Sequence, residues 1–195
     1  MGEEKIRAFI AFEPSAQIRR ALGNIQNKLR GSDLGSQIRW VKPEGIHLTL
    51  KFLGDINLSQ LEEVGSVMER VAGKQGRFKI ACGGIGLFPE AGNPRVIWVG
   101  LTRGVSDLAR LSHDLDLGLS QLGFEPEQRG FKAHLTLGRV KSRLERGRLA
   151  SLVDGLKTPP MEMEAGEVIL FRSDLRAQGA IYTPLNRVDL AHPRQ

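Results

Sequence analysis

The tetrapeptide His-Leu-Thr-Leu occurs twice in this chain, at residues 47–50 and at residues 134–137. Histidine is scarce, since the chain has four in 195 residues. A threonine two places after a given histidine has a chance of roughly 3% by composition, so two such pairs are unlikely to be coincidental. Any fold predicted for the chain has to accommodate two equivalent copies.

The residues around the two copies predict the same order of elements. Hydrophobic periodicity and turn residues predict a strand, a helix, a strand with the tetrapeptide, a second helix and a further strand in each half. His47 follows the start of its first strand at Ile6 by 41 residues, and His134 follows Arg95 by 39. A fixed order at a fixed spacing indicates an internal duplication.

The predicted fold class is therefore α+β and bilobal, with two pseudo-symmetric βαβ-like halves whose antiparallel sheets flank a central cleft. At ~150 residues per domain, we expect residues 1–195 to form a single two-lobed domain, with sequence halves of approximately 1–90 and 91–195.

Composition limits the setting of the protein. Lys and Arg number 28 against 22 Asp and Glu, and the resulting charge of +6 fits an anionic partner such as nucleic acid. Cys82 is the sole cysteine, which excludes an internal disulfide framework. No secretory signal and no apolar run of ~18 residues is present. We expect a cytoplasmic monomer that does not bind membranes.

Strand geometry indicates what the repeated spacing does. Side chains at i and i+2 share one face, so each His–Thr pair projects together while the leucines point to the opposite, buried face. The same alternation places a lysine beside each pair, so each strand would present an imidazole, a hydroxyl and an ammonium group to one side. These residues are His47, Thr49 and Lys51 in the first half and His134, Thr136 and Lys132 in the second.

Two opposed histidines suit acid–base chemistry at phosphorus. A metal site is the obvious rival, but neither copy has a carboxylate or second histidine at ligand spacing. Nucleophilic catalysis by Cys82 or a serine needs only one histidine. An in-line displacement at phosphorus needs a base on one side and an acid on the other, and imidazole, with a pKa of ~6.5, can fill either role. Threonine hydroxyls can bind the non-bridging oxygens.

The two segments Trp40 to Gly54, WVKPEGIHLTLKFLG, and Phe131 to Val140, FKAHLTLGRV, resemble the two-histidine (2H) phosphoesterases. Within that superfamily the chain is similar to the RNA 2′,3′-cyclic phosphodiesterases, also called 2′-5′ RNA ligases. The opening IRAFIAF and the later LFRSDL resemble the same subgroup, so the likeness extends over most of the chain.

The resemblance implies metal-independent hydrolysis of RNA 2′,3′-cyclic phosphate ends to 2′-phosphate, with no organic cofactor. It implies that His47 is the general acid, that His134 is the general base, and that Thr49 and Thr136 hold phosphate oxygens. Alternatives remain open: 2′-5′ ligation by the reverse reaction, hydrolysis of another small cyclic phosphate, or a non-catalytic RNA-binding module.

The resemblance also places Phe52 and Arg139 around the terminal base of the RNA. Strand alternation disagrees, because each residue lies five places after its histidine and an odd offset points to the opposite face. A strand end, twist or bulge after each motif would reconcile the two, and Gly138 makes that easy on the second strand. His113, in a predicted helix, and His192, in a terminal tail, have no assigned role.

Overall fold

Nine strands and four α-helices make up the computed structural model, which describes residues 4–176 and 179–191. The strands are β1 (Lys5–Phe12), β2 (Ile38–Trp40), β3 (Leu48–Asn57), β4 (Phe78–Phe88), β5 (Val96–Arg103), β6 (His134–Val140), β7 (Met161–Ala165), β8 (Glu167–Arg176) and β9 (Gly179–Asp189). The helices are α1 (Ala16–Arg30), α2 (Leu61–Ala72), α3 (Val105–Ser120) and α4 (Arg146–Asp154).

The strands form two sheets, and within each sheet neighbouring strands are antiparallel. One sheet has the order β3-β1-β8-β9 and the other β2-β6-β5-β4-β7. The predicted α+β class with two antiparallel sheets is confirmed, and each His-Leu-Thr-Leu segment contributes to a different sheet.

The two halves of the sequence exchange strands. After α2, β4 pairs with β5, the first strand of the second half, and after α4, β8 pairs with β1, the first strand of the first half. Each sheet therefore takes strands from both sequence halves, so a lobe of the fold is not one half of the sequence. The predicted halves did not anticipate this exchange, because strand pairing depends on distant residues.

Helix formation follows the predicted apolar spacing. In α1 the buried side chains include Ile18, Leu22, Ile25 and Leu29, and the Ser15 side chain accepts a hydrogen bond from the Ile18 amide at the N-terminus. In α3 the buried positions are four leucines at helical spacing: Leu108, Leu111, Leu115 and Leu119. These faces pack on the sheets and form one core.

Some local sequence patterns correspond to different structure than their composition suggests. Ser59 to Glu62 has the spacing of a capping box, but the capping box before the second helix uses Asn57 and Gln60 around a 3-10 turn. Helix α4 begins at Arg146 with no side-chain cap. The strand-like run over 163–171 is divided between β7 and β8 around Gly166.

Within the described residues, no helix combines the length and the apolar character needed to cross a bilayer.

Candidate active site

The two histidines occupy equivalent positions and have the same hydrogen bond. His47 lies just before β3, and its Nδ1–H donates to the Gly45 carbonyl at 2.9 Å. His134 begins β6, and its Nδ1–H donates to the Lys132 carbonyl at 2.7 Å. Because a carbonyl only accepts, both rings are held in the tautomer whose Nε2 is free for proton transfer.

The two motif strands approach each other although they belong to different sheets. The charge of His134 contributes to lowering the pKa of His47, and the charge of Arg139 acts on both rings. The structure therefore brings both histidines and Arg139 into one site.

Burial favours the neutral form of both imidazoles in the free protein. Desolvation lowers the pKa of His47 from 6.5 to about 4, and the hydrogen bond to Gly45 offsets this only in part. Desolvation also lowers the pKa of His134, again opposed by its backbone hydrogen bond. An anion bound between the rings would favour the protonated form of either one.

Aromatic side chains fix each histidine ring. Phe9 lies with its ring centroid 4.5 Å from that of His47, and Tyr182 meets the same imidazole edge-on at 4.9 Å. In the other sheet Phe88 meets His134 edge-on at 5.2 Å and stacks on Trp98 at 4.7 Å. Such packing restricts the orientation of the imidazoles without adding a charge.

A β-bulge follows each motif and resolves the disagreement over alternation. In the pairing of β1 with β3, Ala11 lies opposite Thr49 and Ile10 opposite Lys51, so Leu50 is the extra residue. Beyond the bulge the alternation is reversed. Phe52 therefore returns to the face of Thr49, where it is 63% exposed and its ring lies 6.1 Å from Phe9.

The second motif has an equivalent bulge. Trp98 pairs with Thr136 and Ile97 with Gly138, so Leu137 is the extra residue and Arg139 returns to the site face. The positions of Phe52 and Arg139 that the resemblance implied agree with this geometry, and the contrary alternation argument was wrong for both.

Each bulge carbonyl accepts a hydrogen bond from a helix of the other sequence half. Ser112 of α3 donates to the Leu50 carbonyl at 2.7 Å. Gln26 of α1, only 1% exposed, donates to the Leu137 carbonyl at 2.8 Å and to the Val41 carbonyl at 2.7 Å. The Leu137 carbonyl also accepts from the Val41 amide at 2.9 Å, so Gln26 gives it a second hydrogen bond and supplies a side-chain donor to the Val41 carbonyl.

The prediction that Lys51 presents its ammonium group beside His47 and Thr49 is corrected by the structure. Beyond the bulge Lys51 pairs with Ile10, a core residue, and is itself 6% exposed. Its Nζ forms an ion pair with Asp116 and donates to the Glu125 carbonyl at 2.6 Å. Asp116 also accepts from the Glu127 amide, so the pair joins β3, α3 and the segment before β6.

Lys132 lies at the rim of the site. Its Nζ contacts Glu90 at 2.5 Å and lies 5.6 Å from the Phe88 ring centroid, while its carbonyl holds His134. A cavity of about 1340 Å³ opens beside it, and its lining includes Thr49, Phe52, Phe88, Asp116, Lys132 and His134.

Other reactive groups do not compete with the histidines. Burial raises the pKa of Cys82 to about 11, so its thiol is a poor nucleophile. Across residues 4–176 and 179–191, no group of three or more His, Cys, Asp or Glu side chains is arranged to hold a metal ion. His113 lies exposed on α3, and His192 falls outside the described residues.

Comparison with known protein families identifies the group to which this site belongs. The family model for LigT-like phosphoesterases matches the chain twice, over residues 12–98 and 99–182. The chain belongs to the LigT-like phosphoesterase family. The predicted recognition of a 2H phosphoesterase is thereby confirmed.

Two relatives named RNA 2′,3′-cyclic phosphodiesterases align with the chain over nearly their whole length. The RNA 2′,3′-cyclic phosphodiesterase of Methanothermobacter thermautotrophicus is 35% identical over 182 residues, 93% of this chain and 97% of that protein. The protein of the same name from Aquifex aeolicus is 33% identical over 180 residues, 91% of this chain and 94% of its own.

Solved structures of this family share the fold. TT0787 of Thermus thermophilus has a TM-score of 0.80 at 28% identity, covering 97% of this chain and 100% of that one. LigT of Escherichia coli in its apo form has a TM-score of 0.76 at 24% identity, covering 98% and 100%.

Sequence reasoning missed the aromatic residues that pack against the two histidines of this LigT-like site. Tyr182 packs against His47 from β9, and burial raises the pKa of its phenol while the charge of Arg139 opposes the rise. Trp98 lies over Gly86, where an added Cβ would come within 2.2 Å of the indole. The one sequence signal for this packing is the glycine-rich run in β4, because Gly86 has no side chain to block the Trp98 ring.

Proposed function

We propose that this chain hydrolyses 2′,3′-cyclic phosphate ends of RNA to 2′-phosphate ends, using its two histidines as acid and base. The observation that carries the proposal is the equivalent placement of His47 and His134, each with Nδ1 bound to a carbonyl and Nε2 free. Relatives that share 30–35% identity with the chain are named RNA 2′,3′-cyclic phosphodiesterases, which supports the same chemistry here.

In the proposed reaction, water attacks phosphorus in line with the departing O3′. The bound phosphate anion favours the doubly protonated form of His47, whose Nε2 then carries a proton as well as Nδ1. His134 Nε2 accepts a proton from the water, while the P–O3′ bond breaks and His47 Nε2 donates its proton to the leaving oxygen. The product keeps its phosphate on O2′. His134 then holds the proton and His47 has lost it, so exchange with solvent restores the starting state.

The hydroxyls of Thr49 and Thr136 would donate hydrogen bonds to the two non-bridging oxygens. They lie on the site face of their strands, two residues after each histidine and before each bulge. Fixed donors aimed at developing negative charge are worth the most in a site shielded from water.

The surroundings favour an RNA end as the substrate. Phe52 presents an exposed ring and Arg139 a guanidinium plane, a pair that can hold the terminal base. The adjoining cavity, at about 1340 Å³, exceeds the ~300–1,000 Å³ typical of small-ligand pockets. Lys132 at the rim of the cavity adds positive charge, whereas Lys51 is buried in its ion pair with Asp116.

We further propose that residues 1–195 act as one two-lobed domain, as a cytoplasmic monomer that needs neither metal nor organic cofactor. The exchange of strands supports a single unit, since β4 of the first half lies in the sheet of β5 and β6, and β8 and β9 of the second half lie in the sheet of β1 and β3.

Turnover of an oligonucleotide that ends in a 2′,3′-cyclic phosphate tests this proposal. We expect hydrolysis in the presence of EDTA, and a loss of ~10²–10⁴-fold in kcat for His47→Ala and for His134→Ala. Lys74→Ala, at an exposed position outside both motifs and outside the lining of the cavity, is the control and should retain wild-type activity. Salt-sensitive RNA binding without turnover would favour a non-catalytic RNA-binding module.

A further inference from the structure

Two arginines lie directly opposite each other beside the active site. In the pairing of β2 with β6, Arg39 is the partner of Arg139. Directly paired residues in an antiparallel ladder project from the same face, with Cα atoms about 4.5–5.5 Å apart. The neighbours Ile38 and Trp40 project from the other face, where Ile38 is buried, so both arginines project outward and are exposed.

This arrangement is unfavourable unless something negative binds there. Like charges directly opposite on a sheet destabilise it. Neither guanidinium is within ion-pair distance of a carboxylate in the part of the chain that the structure describes. By contrast, Arg148, Arg172 and Arg187 each have a carboxylate partner.

The location relates this pair to the reaction. The charge of Arg139 contributes to lowering the pKa values of His47 and His134, so its guanidinium lies within electrostatic reach of both imidazoles. Arg39 is one strand further out, on the edge strand of the sheet. Both arginines lie outside the lining of the cavity beside Lys132. A ligand that reaches Arg39 must therefore extend beyond the reacting phosphate in another direction.

We propose that Arg39 binds the phosphodiester that precedes the terminal nucleotide of the RNA. The inference rests on the proposed function, in which Arg139 holds the terminal base. The 5′ phosphate of that nucleotide is its nearest remaining charge, and Arg39 is the adjacent cation on the same face. A guanidinium group can donate two parallel hydrogen bonds to a phosphate, which makes arginine well suited to the role.

The consequence is a preference for oligonucleotides over mononucleotides. A mononucleoside 2′,3′-cyclic phosphate has no preceding phosphodiester, whereas a dinucleotide with the same end has one. The wild-type enzyme should therefore have a higher kcat/KM for the dinucleotide, and this advantage should depend on Arg39.

The test compares these two substrates in Arg39→Met, which keeps an unbranched apolar stem and removes the charge. We expect kcat/KM for the dinucleotide to fall at least about tenfold, the loss of a charge-assisted hydrogen bond, while the mononucleotide value stays within about twofold. The salt dependence of dinucleotide kcat/KM should also weaken by about 0.7 in its log–log slope.

Arg103→Met is the matched control. It removes the same charge from the same sheet at an exposed position on β5. Val96, at the start of β5, pairs with Arg139, and seven residues of strand separate it from Arg103, about 23 Å. Both substrates should be turned over by this variant at wild-type rates.

The outcomes separate the two proposals. Equal losses on both substrates in Arg39→Met, or no loss on either, would overturn the phosphodiester site. If wild-type protein turns over neither substrate, the proposed function fails. In that case the affinities of the protein for a 2′-phosphate-ended dinucleotide and for a mononucleoside 2′-phosphate test the Arg39 site. Tighter binding of the dinucleotide by the wild type, abolished in Arg39→Met, supports the site. Equal affinities of the wild type for the two ligands refute it.

Discussion

Replacement of His47 by asparagine should make the unfolding free energy less sensitive to mild acid than that of the wild type. Burial lowers the pKa of His47 from 6.5 to about 4, so at pH 5 the unfolded chain binds a proton that the folded protein does not. The neutral ring is favoured in the fold, and stability falls as the pH drops from 6.5 towards 4.

The magnitude follows from the two pKa values. Titration of one group with these pKa values removes about 2 kcal/mol of unfolding free energy between pH 7 and pH 5. Asparagine does not titrate, and its amide can still donate a hydrogen bond to the Gly45 carbonyl. The remaining titrating groups are common to both proteins, so their contributions cancel in the comparison.

Urea denaturation of wild type and His47→Asn at pH 7 and pH 5 measures the effect. Between the two pH values the unfolding free energy of the variant should fall by about 2 kcal/mol less than that of the wild type. In thermal unfolding the same difference corresponds to a fall in Tm that is about 4–8 °C smaller. Identical losses in the two proteins would refute the argument that the neutral imidazole is favoured by burial.

Three further predictions concern the same machinery. In a pH profile of kcat/KM the apparent histidine pKa values should lie below 6.5, because burial lowers them in the free enzyme. The pKa values in the kcat profile should be higher, because the bound phosphate anion favours the protonated histidine. Coincident profiles would contradict this. Lys51→Met should lower the unfolding free energy in urea by about 3 kcal/mol, because it leaves Asp116 without a counter-ion. The double variant Lys51→Met/Asp116→Leu should recover most of that loss. Equal unfolding free energies of the single and double variants would count against a buried pair. Gln26→Met should cost about 1–3 kcal/mol, because it leaves the Val41 carbonyl without its side-chain donor and removes one of the two hydrogen bonds to the Leu137 carbonyl. It should also lower kcat/KM because the bulge directs Arg139; unchanged kcat/KM in a destabilised variant would show that the bulge holds without Gln26.

The sequence predicted the features that depend on local pattern. Apolar spacing was sufficient for α1 and for the buried face of α3, and the repeated His–Thr spacing was sufficient to pair each imidazole with its hydroxyl. The strand exchange was out of reach, because the pairing of β8 with β1 joins residues more than 150 positions apart.

The bulges mark the limit of the same reasoning at the site. Whether Leu50 is an extra residue depends on the pairing with β1 and on Ser112 of α3, and neither is visible in the alternation of β3 itself. One inserted residue exchanged the roles of Lys51 and Phe52. Tyr182 carried no signal either, because its relation to His47 exists only after β9 joins the sheet.

The position of the product phosphate is the most direct test of two histidines acting from opposite sides of phosphorus. An oligonucleotide ending in a 2′,3′-cyclic phosphate is hydrolysed by the wild-type protein, and the product end is assigned by phosphorus NMR. Donation of a proton from His47 to O3′, with His134 activating water, predicts a 2′-phosphate as the sole product. A 3′-phosphate, or a mixture of the two, would contradict this mechanism.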